Sequence, residues 1–298
     1  MQIYGADHSP WVQAVLLGLH DKNHAYTLTT VPPLALLLKS GVMMPAVKTG
    51  APPWQLESAD ILQQIGFGEV SRQDMQAINH SWRGVLHRTD RAFSFFDGFS
   101  RIREPSNSKT TRLVHHLLRS FVSFYMFLLI RTLVFFRGTG DPDNFGDQFL
   151  YFEHKLREAG PFLGGASTST ADLMLFGIIQ CHCSLPVPPL KALQDDPRLN
   201  TVRTWIATMQ LRFTDYQHLY SSRFFRPFVK SAEPATVTER SVFWLGALTL
   251  FLLFPITVPL VAILADFLSA WRSHFSPRAA EQLSIKLPAD QDKNIRSK

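Results

Sequence analysis

The stretch GPFLGGASTSTADLMLFGIIQ, Gly160–Gln180, is the part of the chain whose local structure is easiest to predict. Ser169 and Asp172 stand three positions apart, directly before the apolar run 173–179. A serine followed three residues later by an acidic residue forms a capping box, in which each side chain bonds the other residue's backbone N–H at the first turn of a helix. The pattern therefore predicts a helix that begins next to Ser169, and it gives this pair a structural role.

Outward from this helix, the two sides of the chain differ. Prolines 186, 188 and 189 predict the loop that ends the helix, and the patterns from Arg72 onward are helical almost throughout. The N-terminal side instead alternates between strand and helix patterns. Its predicted elements are the strands Gln2–Ala6 and Ala25–Val31, the helices Pro10–His20, Leu34–Lys39 and Glu57–Ile65, and the extended pieces Pro45–Thr49 and Trp54–Leu56.

Composition excludes several classes of protein. Of the 298 residues, 46% are hydrophobic and 18% are charged, which excludes a disordered chain. A mean hydropathy of zero predicts that apolar residues are concentrated somewhere. The two cysteines cannot form a disulfide framework, and the N-terminus has no basic and apolar signal sequence. We therefore expect a reducing compartment that faces the cytosol.

The most apolar segment lies towards the C-terminus. Residues 241–265 form a run of 25 residues without a charge, whereas a helix needs about 20 apolar residues to cross a bilayer. The run predicts a transmembrane segment over 241–271, preceded by a linker at 229–240 and followed by a polar tail at 272–298. Two prolines within the run leave open a bent or re-entrant segment. The expected location is a membrane, single-pass or tail-anchored, with the N-terminal part facing the cytoplasm.

A second apolar segment is basic at one edge. Residues 101–140 carry seven basic residues and one acidic residue, a charge that suits nucleic acid or an anionic membrane surface. Helix 112–137 interleaves its arginines with apolar residues, which favours the membrane and predicts no nucleic-acid partner. Its uncharged run of 11 residues is too short to span a bilayer. Two interpretations stay open, a helix in the membrane interface and a core helix with snorkelling arginines.

Four motifs in order suggest a family. They are Ser9-Pro10-Trp11, Met44-Pro45-Ala46-Val47, Glu57-Ser58-Ala59-Asp60-Ile61-Leu62, and the stretch at 160–173 quoted above. Together they resemble the motifs of the glutathione transferase superfamily. The resemblance implies an α/β thioredoxin-like domain over 1–70 and an all-α domain over 71–228, so that the expected fold is glutathione transferase-like with a C-terminal transmembrane helix.

The resemblance assigns the chemistry to Ser9. In the serine-type classes of the family this serine stabilises the thiolate of glutathione. Elementary physics agrees, because the N-terminus of a helix favours an anion and a hydroxyl there can donate a hydrogen bond to sulfur. The alternative from the residues alone is that Ser9 caps the helix, with Pro10 at its first position. His8 is an alternative donor.

The same resemblance implies four glutathione-binding residues. In the family, the proline that corresponds to Pro45 follows a cis peptide bond, and the backbone of the residue before it pairs with the cysteinyl part of glutathione. The resemblance assigns that pairing to Met44. Glu57 and Ser58 would bind the γ-glutamyl end where a strand meets a helix. The alternatives from the residues alone are an ordinary turn proline at Pro45 and a simple helix cap at Glu57 and Ser58.

The predicted function is a membrane-anchored glutathione transferase-like enzyme that conjugates the glutathione thiolate to lipophilic electrophiles, as in detoxification. Glutathione is the expected co-substrate, and lipid and a homodimer partner or membrane-protein partner are also expected. No metal is expected, because the adjacent side chains of Cys181-His182-Cys183 diverge on a helix. The alternative is a non-catalytic scaffold at a membrane, similar to the metaxins. Met43, which stands where the family commonly has a lysine, favours that alternative.

Overall fold

The computed structural model describes residues 1–40, 43–50, 53–86, 92–104, 106–137, 142–186, 190–221 and 233–253, together with 255, 256 and 259. The chain divides into two compact units. The first comprises residues 1–32 and 43–251, and the second comprises 33–42 and 252–298. In the second unit, the described structure is chiefly helix α2 (Leu34–Ser40).

The N-terminal part of the first unit contains a small mixed sheet. Its strands are β1 (Gln2–Tyr4), β2 (Thr27–Thr29) and β3 (Ala46–Lys48), in the spatial order β2-β1-β3. β1 is parallel to β2 and antiparallel to β3. Parallel neighbours need a crossover connection, and helix α1 (Pro10–Asp21) provides it. Helix α3 (Ser58–Gln64) follows the sheet.

The predicted strands are present but shorter than expected. Each has three residues, with Ile3 and Val47 buried at the centres of β1 and β3. The predicted extended piece Trp54–Leu56 contributes only the bridge of Gln55 to Val47. The order of elements and the small mixed sheet fit a thioredoxin-like arrangement joined to helices.

The rest of the first unit is helical in the residues described. Pro142–Phe149 and Pro197–Leu199 are 3₁₀ turns. The helices are α4 (Arg72–Leu86), α5 (Ala92–Arg101), α6 (Lys109–Arg137), α7 (Leu150–Ala159), α8 (Thr170–Cys183), α9 (Lys191–Asp195), α10 (Asn200–Arg212) and α11 (Val237–Leu252).

One core joins the sheet to the helices. It runs without a break from Ile3 in β1 to Leu219 beyond α10, and α1 and α8 pack closely at its centre. Gly177 allows this close approach, because a Cβ there would collide with the Pro10 carbonyl oxygen and lie 3.0 Å from the Ala14 nitrogen. The helix that follows Ser9 is therefore held directly by α8. The predicted division at residue 70 stays a prediction.

The predicted capping box is present at the start of α8. The Ser169 hydroxyl oxygen accepts a hydrogen bond from the Asp172 backbone N–H, and Asp172 Oδ2 accepts one from the Ser169 backbone N–H at 2.9 Å. Asp172 is fully buried, and its Oδ1 also accepts hydrogen bonds from the Leu163 amide and the Trp205 indole, both at 2.8 Å. The carboxylate thus ties the preceding loop and α10 to the helix it caps.

A second apolar cluster joins α5, α6 and α11. Its buried members are Phe96, Phe124, Phe243, Ala247 and Leu250. Gly246 lets α11 approach α6, because a Cβ at that position would collide with the Ser120 hydroxyl. The long helix α6 therefore buries one side against α5 and α11, as the core-helix interpretation expects.

Ion pairs neutralise much of the basic segment. Arg112 Nε lies 2.6 Å from Glu239 Oε1, and this pair links α6 to α11 with the Glu239 side chain only 2% exposed. Arg119 pairs with Glu104, which His115 Nδ1 also contacts at 3.0 Å. Further pairs join Arg101 to Asp97 and Arg103 to Glu233. Four of the seven cations in the basic segment are thus paired, which weakens the case for a nucleic-acid surface.

The described structure does not support the predicted transmembrane helix. Within the residues described, no helix is both long enough and apolar enough to cross a membrane. The predicted span 241–271 begins inside α11, which ends at Leu252. Of the rest of that span, residues 254, 257, 258 and 260–271 lie outside the described residues, as do the predicted polar tail at 272–298 and residues 229–232 of the predicted linker.

Candidate functional site

Ser9 occupies the N-cap position of α1. Its backbone is extended, its carbonyl oxygen accepts the Gln13 N–H at 2.9 Å, and Pro10 begins the helix. The Ser9 hydroxyl nevertheless makes no capping hydrogen bond. The side chain is half-buried. The hydroxyl is thus left available at the positive end of a twelve-residue helix.

Met44 lies beside the turn that leads to Ser9. The Met44–Pro45 peptide bond is cis, and Pro45 directly precedes β3. Met44 Sδ accepts a hydrogen bond from the Ala6 backbone N–H at 3.4 Å. The antiparallel register pairs Tyr4 with Ala46, so the segment after β1 and the segment before β3 share one edge of the sheet.

Glu57 and Ser58 lie at the start of α3. An isolated antiparallel bridge pairs Val47 of β3 with Gln55, two residues before Glu57. Glu57 is exposed and makes no capping hydrogen bond, whereas Ser58 is buried. Partial desolvation, and then the negative charge of Asp60, raise the pKa of the Glu57 carboxyl above its ordinary value.

Helices α1 and α3 pack together near their C-terminal ends, because a Cβ at Gly18 would touch Leu62 in α3 and Ile65 directly after it. Met44 lies beside Ala6 in the turn that leads to Ser9, whereas Glu57 and Ser58 lie at the start of α3, after the bridge of Gln55 to Val47. That these residues form one site stays a prediction.

A polar cluster next to Ser9 was not predicted from the sequence. The Tyr220 hydroxyl donates a hydrogen bond to the Asp7 carboxylate, and His218 Nδ1 lies 3.3 Å from Asp7 Oδ2. Burial would raise the pKa of Asp7, but the neighbouring His8 and the hydrogen bonds from His218 and Tyr220 outweigh it and hold that pKa well below its usual range. Asp7 is therefore a carboxylate at neutral pH.

His8 belongs to the same cluster. Its ring stacks on Tyr220 with the centroids 5.5 Å apart and meets Phe99 edge-on at 6.0 Å. Burial is the main cause that lowers the pKa of His8 below its ordinary value. The ring is thus neutral at pH 7. The rings of Tyr220 and Phe99 thus provide an apolar wall against His8, the residue directly before Ser9.

Two buried glutamines hold the segment that carries Tyr220. Gln13 Oε1 accepts the Tyr216 hydroxyl at 3.0 Å, while Gln13 Nε2 donates to the Asp7 carbonyl at 2.5 Å. Gln180 Oε1 accepts the backbone N–H groups of Tyr220 and Ser221 at 2.6 and 3.1 Å. Such satisfied buried amides fix backbone position. From the sequence, neither Gln13 in α1 nor Gln180 in α8 was singled out, although these two polar residues could have indicated this arrangement.

The cysteines have no visible role at this edge. Cys181 and Cys183 are buried and free, and burial raises the pKa of both thiols far above the ordinary value. In the described part of the chain, no group of three or more histidine, cysteine or acidic side chains could hold a metal ion. The absence of a metal stays an expectation for the chain as a whole.

Comparison with known proteins gives structural similarity only. No family model and no curated protein matches the sequence. Among solved structures, the chain is similar to Gtt2 from Saccharomyces cerevisiae at 18% identity, over 74% of this chain and all of that one, with a TM-score of 0.44. It is also similar to the glutathione-bound theta class glutathione S-transferase from Xanthomonas axonopodis pv. citri, at 16% identity over 74% and 98% of the two chains, with a TM-score of 0.41. Glutathione S-transferase I from mais, in complex with an atrazine glutathione conjugate, is similar at 11% identity over 73% and 95%, with a TM-score of 0.44.

Proposed function

We propose that this protein binds glutathione at the edge formed by Ser9, Met44, Pro45, Glu57 and Ser58, and transfers the glutathione thiolate to lipophilic electrophiles. The observation that carries the proposal is the Ser9 hydroxyl, which stands at the start of α1 without a capping hydrogen bond. A capping serine would use that hydroxyl on the helix itself. Here it is left to donate to a ligand.

Each residue would have a separate task in this reaction. The backbone of Met44 would pair with the cysteinyl part of glutathione, and the free carboxylate of Glu57 would bind the γ-glutamyl ammonium group. The thiol proton leaves to solvent, and the Ser9 hydroxyl donates a hydrogen bond to the resulting thiolate, which the N-terminus of α1 also favours. The sulfur then forms a bond to the electrophilic carbon while the leaving group departs with its electron pair.

Replacement of Ser9 tests the chemical step. Ser9→Ala should slow conjugation with a generic electrophile at neutral pH by roughly tenfold to a hundredfold, since a hydrogen bond to a charged group contributes about 1.5–3 kcal/mol. The deficit should shrink at high pH, where the thiolate forms without help. The exposed Ser241 on α11 provides a matched control, and Ser241→Ala should keep the wild-type pH–rate profile. An unchanged profile in Ser9→Ala would leave that serine without a chemical role.

Replacement of Glu57 and Ser58 tests binding. Glu57→Gln and Ser58→Ala should weaken glutathione affinity in calorimetric titration, while the exposed-surface control Glu158→Gln should not. The start of α3 has no side-chain capping hydrogen bond. Replacement of Glu57 or Ser58 should therefore lower the affinity for glutathione more than it lowers the folding stability. Equal glutathione affinity in wild type and the three variants would mean that Glu57 and Ser58 do not bind glutathione.

The alternative is a non-catalytic scaffold. Met43 is exposed at the position where a lysine would neutralise a glutathione carboxylate, and the exposed acidic residues Glu57 and Asp60 make this edge less suited to an anion. A protein that is not retained on immobilised glutathione and shows no conjugation would support the scaffold. A homodimer partner or membrane-protein partner stays a prediction in either case.

We also propose attachment to a membrane through residues 241–271, with the N-terminal part facing the cytoplasm. The support is the run of 25 residues without a charge at 241–265. Truncation after Val229 would test it, because the shortened chain should no longer sediment with membranes. A truncated chain that still sediments after a high-salt wash would instead place hydrophobic attachment elsewhere in the protein.

A further inference from the structure

Ser9 is the last residue of a tight turn between β1 and α1. Its backbone N–H donates to the Ala6 carbonyl at 2.9 Å, which closes a four-residue turn with Asp7 and His8 at its two central positions. At the other end of the turn, the Ala6 backbone N–H donates to Met44 Sδ at 3.4 Å. Because no capping hydrogen bond ties the Ser9 hydroxyl to α1, the conformation of this turn determines where the hydroxyl lies.

Tyr220 contacts both central residues of this turn. Its hydroxyl donates a hydrogen bond to the Asp7 carboxylate, and its ring stacks on His8 with the centroids 5.5 Å apart and the planes inclined by 26°. Burial, and then the charge of Asp7, raise the pKa of the Tyr220 hydroxyl, so this hydroxyl keeps the proton that it donates. A single side chain from 213 positions along the chain therefore holds the two residues that shape the turn.

Tyr220 is itself fixed by a buried amide. Gln180 is fully buried in α8, and its side-chain oxygen accepts the backbone N–H groups of Tyr220 and Ser221. Its side-chain nitrogen donates to the Ser221 hydroxyl, so both ends of the amide are used. A buried polar network whose groups are all paired favours one arrangement of the chain. The contacts of Tyr220 with the turn thus start from a rigid support in the helical part of the unit.

We propose that Tyr220 is a positioning residue for the Ser9 hydroxyl. By holding Asp7 and His8, it keeps the turn in the conformation from which that hydroxyl donates to the glutathione sulfur. The inference rests on the proposed function. A donor that is already in place when charge develops stabilises a transition state most, and a displacement of about 1 Å can slow a reaction by about a hundredfold. Tyr220 need not contact the sulfur or the electrophile, so its whole effect should pass through Ser9.

A double-mutant cycle between Tyr220 and Ser9 tests the proposal. Tyr220→Phe removes the hydroxyl and keeps the ring that stacks on His8. The matched control is Tyr151→Phe, which removes the same kind of bond from the fold, since the Tyr151 hydroxyl donates to Asp74 at 3.0 Å. Both substitutions are made in the full chain and in its Ser9→Ala variant. The kcat for conjugation of glutathione to a generic electrophile is measured well below the unfolding midpoint of every protein.

The expected loss is moderate, because other groups also hold Asp7. Gln13 donates to the Asp7 carbonyl, and His218 Nδ1 lies 3.3 Å from the Asp7 carboxylate. Tyr220→Phe should therefore lower kcat by about fivefold, which is less than the loss caused by Ser9→Ala. In the Ser9→Ala variant the same substitution should change kcat by less than about 1.5-fold, because the hydroxyl that it positions is gone. Tyr151→Phe should leave kcat unchanged in both backgrounds.

Two outcomes would overturn this inference alone. One is a wild-type kcat in Tyr220→Phe, and the other is an equal fold-loss from Tyr220→Phe with and without the Ser9 hydroxyl. In both cases a slow Ser9→Ala variant would leave the proposed function standing. Wild-type kcat in Ser9→Ala would overturn the chemical role of Ser9 and this inference together, as would a full chain that conjugates no glutathione.

Discussion

Acid should destabilise this protein in part through His116, a buried histidine on α6. The residue is fully buried, and within the described part of the chain neither ring nitrogen has a hydrogen-bond partner. Burial lowers its pKa from 6.5 to about 4, and the nearby Arg119 and His115 add to the effect. Glu239 and Glu104 act in the opposite direction without reversing it.

The sign follows from the lowered pKa. Above pH 6.5, the imidazole is largely neutral in both the folded and the unfolded chain, so it does not lower the folding stability. As the pH falls from 6.5 towards 4, the unfolded chain binds a proton that the folded chain does not, and the folded state loses stability. A pKa of about 4 in place of 6.5 corresponds to a total loss of about 3 kcal/mol. About 2 kcal/mol of that loss should fall between pH 7 and pH 5.

Denaturation by urea, followed by tryptophan fluorescence at several pH values, measures this loss. His116→Leu removes the titrating group and the two unpartnered nitrogens, so this variant should be about as stable as wild type at pH 7 and more stable by about 2 kcal/mol at pH 5. The control His154→Leu replaces an exposed histidine and should keep the wild-type pH dependence. If His116→Leu loses stability with acid as steeply as wild type does, the reasoning about this histidine is wrong.

Two matched pairs of substitutions test the packing around α1 and α8. Asp172→Ala should lower the free energy of unfolding by about 3–5 kcal/mol, because several buried donors lose their acceptor, whereas Ser169→Ala should lower it by about 1 kcal/mol, as expected for a helix cap. Equal losses in the two variants, measured by urea denaturation, would contradict the role given to the carboxylate. Gly177→Ala should cost about 1–3 kcal/mol because its methyl group meets the α1 backbone, while Gly68→Ala, where the added Cβ meets open space, should cost little. Thermal unfolding of the two glycine variants measures this difference in stability. Similar unfolding midpoints would mean that α1 and α8 can move apart with little loss of free energy.

The sequence predicted those features whose interactions lie within a few residues of one another. The Ser169–Asp172 capping box joins residues three positions apart, so its pattern is readable without a fold. The start of α1 at Pro10 was predicted for the same reason, since proline favours the first helical position. Strand lengths were overestimated, because alternation of apolar residues continues past the point where Gln2–Tyr4 loses its hydrogen-bonded neighbours.

The sequence could not choose between alternative uses of the same residue. Ser9 at a helix start is compatible with a cap and with a free hydroxyl, and only the geometry of the side chain shows that it makes no capping bond. Helix 112–137 was equally suited to a core and to a membrane interface. The structure shows that it packs on α5 and α11 with one side and exposes Val114 and Val122 on another.

By itself, then, the sequence determined the order of elements, the capped start of α8 and the positions of the candidate site motifs, because local hydrogen bonding and periodicity act over a few residues. Only the tertiary structure decided which distant groups meet. Tyr220 reaches Asp7 across 213 positions, and Trp205 reaches Asp172 across 33. Such contacts depend on how α1, α8 and the segment after α10 pack around a shared core, and no pattern in a short window specifies that packing.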